Sequence, residues 1–101
     1  MAAIRRLDWR TDRVEHIARH GVTPQEFEEA LFSDRDRLLK RVGPAERNPN
    51  ETIYRCLGRT EAGRYLFMAM LRYADERRAN GEALPVMARD MTDSERRRYA
   101  R

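Results

Sequence analysis

Residues 64–73 read Arg-Tyr-Leu-Phe-Met-Ala-Met-Leu-Arg-Tyr, with an apolar or aromatic side chain at every position from Tyr65 to Leu71. In an extended strand successive side chains point to opposite faces. That puts Tyr65, Phe67, Ala69 and Leu71 on one side and Leu66, Met68 and Met70 on the other. A strand that is apolar on both sides belongs in the middle of a sheet with both faces covered. The rest of the chain must supply its neighbours and its cover within 101 residues, enough for one domain with a single modest core.

The flanking segments offer both. After Trp9, the residues Val14, Ile17, Ala18 and Gly21 recur at helical spacing and predict an amphipathic helix from Thr11 to His20, with Gly21 as the left-handed residue beyond its end. Thr23-Pro24-Gln25-Glu26 joins a capping box to a proline at the first helical position. It predicts a second helix from Pro24 to Ser33 that buries Phe27, Ala30 and Leu31. Beyond Asp34, short apolar runs between turn residues predict strands over residues 38–42, 53–57 and 84–89, beside the one over 64–73. Residues 45–50 read as a loop and 58–63 as a turn. Residues 74–82, with Asn80-Gly81, read as a long hairpin loop. Residues 4–7 are a candidate edge strand. Thr92 and Glu95 repeat the capping-box spacing and open a last helix ending near Ala100. Two helices, an antiparallel sheet of three to four strands and a C-terminal helix make a small α+β domain over residues 1–101.

The chain is 38% charged with a formal net charge of +4, and Lys40 is its only lysine. Nearly all the positive charge is therefore guanidinium, the group suited to bidentate contact with phosphate and carboxylate. A basic surface of this kind favours polyanions such as nucleic acid, acidic proteins or anionic lipid. Cys56 is the sole cysteine, which excludes an internal disulfide and a thiolate metal cluster and fits a reducing cytoplasm. No run approaches the roughly 18 apolar residues of a membrane span, and Met-Ala-Ala-Ile-Arg-Arg lacks the apolar core of a signal peptide.

Three ordered segments resemble the BrnT family of type II toxin–antitoxin ribonucleases. The first is Asp8-Trp9 with His20-Gly21-Val22-Thr23 and Glu26-Phe27-Glu28-Glu29. The second is Leu57-Gly58-Arg59-Thr60 with Gly63-Arg64-Tyr65-Leu66-Phe67. The third is Ala88-Arg89, Thr92 and Glu95-Arg96-Arg97-Arg98-Tyr99. The resemblance implies a RelE-like fold and metal-independent endoribonuclease activity without a cofactor. It also implies an RNA substrate and a ribbon-helix-helix antitoxin that occludes the site and carries the contact with DNA.

Such cleavage uses the RNA 2′-hydroxyl as nucleophile and needs a base, an acid for the leaving 5′-oxygen, and cations on the phosphorane. The resemblance lands on His20, whose pKa class suits proton transfer at neutral pH; a histidine ending a helix equally serves its free carbonyls. His16 shares a helix face with His20, but no third ligand accompanies them, so no metal is expected. Arg59, Arg64 and Arg89 flank strand ends, where they can converge on a phosphate or face solvent. Consecutive helical side chains diverge by about 100°, so Arg96 and Arg97 cannot both point at one ligand with Arg98. Tyr99 is a candidate proton donor or a docking ring for its helix. The expected site is thus catalytic His20, Arg64, Arg89 and Tyr99 with phosphate-binding Arg59, Arg96 and Arg97. A different function fits the same charge: a basic module that binds nucleic acid or an acidic protein and catalyses nothing.

Overall fold

The computed structural model describes residues 4–73 and 81–101. Its elements are β1 (Arg6–Leu7), α1 (Thr11–Ala18), α2 (Pro24–Glu28), β2 (Leu38–Pro44), β3 (Thr52–Arg59), β4 (Tyr65–Arg72), β5 (Glu82–Asp90) and α3 (Asp93–Tyr99), with a π-helical turn (Glu29–Ser33) continuing α2. The sheet order is β1-β5-β4-β3-β2. All pairs are antiparallel except β1 with β5. The α+β class stands as expected. The sheet is mixed and five-stranded rather than antiparallel with three to four strands, because the edge segment before Trp9 pairs in parallel with β5.

β4 lies at the centre of the sheet, flanked by β3 and β5. Its two faces are covered unequally. Leu66, Met68 and Met70 are fully buried under α1, α2 and the π turn, together with Ile17, Phe27, Ala30, Leu31 and Cys56. Tyr65, Phe67, Ala69 and Leu71 are only half-buried, since the short helix α3 meets the opposite face at one end. Full cover of both faces was expected; α3, with seven residues and none buried, is too small to provide it.

Local chemistry explains most element ends. α1 stops at Ala18, two residues before His20, and the chain reverses through Gly21 at φ +69°, which brings Val22 into the core. Thr23 and Glu26 form the predicted capping box, each side chain accepting the other's backbone N–H. The helix read as one α segment to Ser33 changes to π geometry at Glu29. There the Ala30 carbonyl abuts Gly58: a Cβ on that glycine would lie 2.2 Å from the oxygen. Gly58 belongs to β3, not to the expected turn. The turn is shorter, held by the Thr60 N–H to the Arg64 carbonyl at 2.9 Å. Of the expected hairpin loop, residues 74–80 lie outside the described residues; Gly81 has φ +79° and Glu82 already opens β5. Among the described residues no helix is long and apolar enough to cross a membrane.

Candidate functional site

α3 begins with the second predicted capping box: Thr92 accepts the Glu95 N–H and the Glu95 carboxylate accepts that of Thr92 at 2.9 Å. The same carboxylate takes a two-pronged contact from Arg89 at the end of β5, at 2.8 and 3.0 Å. Arg89 lies 4.2 Å above the Phe67 ring, a cation–π contact on the open face of the sheet. Hydrogen bonding between the partners raises the Arg89 pKa and lowers that of Glu95. The pair is therefore ionised throughout the neutral range.

Beside it, the Tyr65 ring receives Arg59 at 5.2 Å and Arg96 at 4.3 Å, while Tyr99 meets it edge-on at 5.7 Å. The Tyr99 hydroxyl donates to Asp34 at 2.6 Å. Asp34 also accepts the backbone N–H of Arg59 at 2.8 Å and of Asp36 at 2.9 Å. Partial burial alone would push the Asp34 carboxyl up, but the Tyr99 hydroxyl and these N–H groups hold it below its ordinary value. Burial, then the hydrogen bond to Asp34, drives the Tyr99 pKa well up, so its proton stays in place at any physiological pH.

Arg64 occupies the same end of the sheet but reaches toward α1 and α2. Its Nε donates to Asp90 at 2.7 Å, and its two terminal nitrogens donate to the carbonyls of Gly21 at 2.7 Å and His20 at 3.1 Å and to Glu26 at 3.3 Å. The Asp90 hydrogen bond raises Arg64 and correspondingly lowers Asp90. This side chain ties two helix ends to the sheet. His20 contributes its carbonyl to that tie, and its side chain belongs to an exposed residue on the turn after α1. His16 is half-buried, and desolvation followed by Arg13 and Arg19 lowers its pKa. Among the described residues no group of three or more His, Cys, Asp or Glu is placed to hold a metal ion.

The fold thus gathers Arg59, Arg89, Arg96 and Tyr99 of the expected set on one seam between α3 and the sheet. His20 and Arg64 stand on the helical side, and Arg97 is exposed on α3. Sequence reasoning missed Asp34, which holds Tyr99 from 65 positions away. It also missed Phe67 as the platform for Arg89. The one signal it passed over is a repeated device: each capping-box glutamate, Glu26 and Glu95, also grips a sheet arginine. Chemically the seam offers three guanidinium groups, a phenol that keeps its proton, and a carboxylate engaged by Arg89. No protein-family model matches the chain, and no curated protein matches it.

Proposed function

We propose that this chain is a BrnT-like toxin with a RelE-like fold: a metal-independent endoribonuclease that works in the cytoplasm and is neutralised by a ribbon-helix-helix antitoxin. The observation that carries the proposal is the seam itself, where Arg59, Arg89 and Arg96 converge on two aromatic rings beside the Tyr99 hydroxyl. Guanidinium groups bind a phosphodiester, and their planar faces can stack on a base.

In this mechanism the incoming phosphate draws Arg89 from Glu95. The released carboxylate, freed of the strongest contact that holds its pKa down, accepts the proton of the RNA 2′-hydroxyl. That oxygen attacks phosphorus, the arginines stabilise the phosphorane, and Tyr99, its hydroxyl turned from Asp34, gives its proton to the leaving 5′-oxygen; solvent then takes the proton from Glu95 and restores that of Tyr99. The products are a 2′,3′-cyclic phosphate and a 5′-hydroxyl. Arg64 serves as a positioning residue for the strand that carries Tyr65. His20, on the other side of the sheet, has a place only if RNA also tracks over the helix ends.

One observation favours the non-catalytic alternative: Arg64 and Arg89 are each already neutralised by carboxylates. A time course with total RNA in EDTA separates the two. Cleavage leaving cyclic phosphate ends supports the toxin. Salt-sensitive RNA binding with no product supports the binding module.

A further inference from the structure

On the open face of the sheet, a groove of about 480 Å³ runs between β2 and α3. Leu38, Val42 and Leu57 give it aliphatic stretches of wall, and Phe67 and Glu95 line it at the α3 side. Leu38 and Val42 are large apolar residues left 42% and 44% exposed. Lys40, Arg55 and Arg98 stand around the groove, and among the described residues none of the three takes part in an ion pair. Lys40 and Arg55 are direct partners in the β2–β3 register, so two like charges face each other, an arrangement that costs stability. Glu95, the carboxylate at the groove, is held by Arg89 and relieves neither. β2 is also the outermost strand, with β3 as its strand neighbour, which leaves its other edge able to pair with an added strand.

We infer that this groove docks an extended protein segment along β2 in which every second residue, the set that shares the open face, is in turn acidic and aliphatic. Its carboxylates meet Lys40, Arg55 and Arg98, and its aliphatic side chains cover Leu38 and Val42. Single-stranded nucleic acid would match the cations but not the walls. Bases stack on aromatic faces, and Phe67, the aromatic ring here, is already covered by Arg89. A second copy of this chain would bring its own Lys40 and Arg41 to the same edge, where like charges oppose pairing. Docking of this kind does not depend on whether the chain cleaves RNA.

Fluorescence anisotropy with three labelled probes tests it on the full chain. The probes are a synthetic peptide with glutamate and valine taking turns at every second position and threonine between them, the same peptide with lysine for glutamate, and a short oligouridylate. The acidic peptide should bind, and Lys40→Glu should weaken it at least about tenfold by turning attraction into repulsion. Arg47→Glu, the same charge change in the exposed loop before β3, should leave binding unchanged. Lys40→Glu should also raise the melting temperature by roughly 2–4 °C, because the new carboxylate faces Arg55. Lost binding then cannot be lost folding. Failure of the acidic peptide to bind, equal binding of the lysine peptide, or an equal loss in Arg47→Glu would overturn the inference. So would oligouridylate binding that Lys40→Glu abolishes, which would make the groove a nucleic-acid track.

Discussion

Glu95 accepts the Thr92 N–H and grips Arg89 with both oxygens, so one carboxylate caps α3 and ties it to β5. The consequence for stability follows from its lowered pKa. The unfolded chain titrates near the ordinary 4.5, and the folded one lower. The pair therefore contributes in full above about pH 5, and the contribution is lost as pH falls through the depressed value. Glu95→Gln should cost about 1 kcal/mol at pH 7, read by denaturant unfolding, and the gap should narrow as pH falls through the depressed Glu95 value. A gap unchanged at low pH would assign the effect to packing. Spacing alone revealed Glu95 as a cap. Its hold on Arg89 was hidden, because it depends on how the chain turns between β5 and α3. Asp34 was hidden more deeply, since no local pattern links it to Tyr99.

Among the elements, the two capping boxes, the reversal at Gly21 and the central position of β4 were all legible, because each rests on local spacing or on one strand's pattern. What the chain concealed lies in contacts between elements. Gly58 read as a turn residue because glycine so often is one, yet it lies inside β3 to let the Ala30 carbonyl approach. That same contact accompanies the change from α to π geometry after Glu28. Gly58→Ala should destabilise the protein by roughly 2–3 kcal/mol, since backbone atoms rather than a flexible side chain must give way. Thermal unfolding measures it, and a loss below about 0.5 kcal/mol would mean that the π turn yields easily. The parallel pairing of β1 was equally unreadable, as two residues carry no directional signal.

For the molecule as a whole, the sheet divides the labour. Its inner face carries the core with α1 and α2, and Arg64 fastens that layer at one end. The outer face is half-open and carries the guanidinium groups, the aromatic rings and the groove along β2. The sequence grouped His20, Arg64, Arg89 and Tyr99 as one expected catalytic set without an order that assembles them; the sheet separates His20 and Arg64 from Arg89 and Tyr99. Net charge alone would let any surface arginine matter equally to RNA, whereas the seam demands a local effect. The decisive measurement is single-turnover RNA cleavage in EDTA by wild type, Arg89→Ala, Tyr99→Phe and Arg41→Ala, each shown to be folded by circular dichroism. The seam predicts losses on the order of 100-fold or more for Arg89→Ala and Tyr99→Phe, and near-wild-type rates for Arg41→Ala, an exposed arginine away from the seam. Equal rates across all four proteins, or equal losses in the three variants, would contradict a catalytic seam between α3 and the sheet.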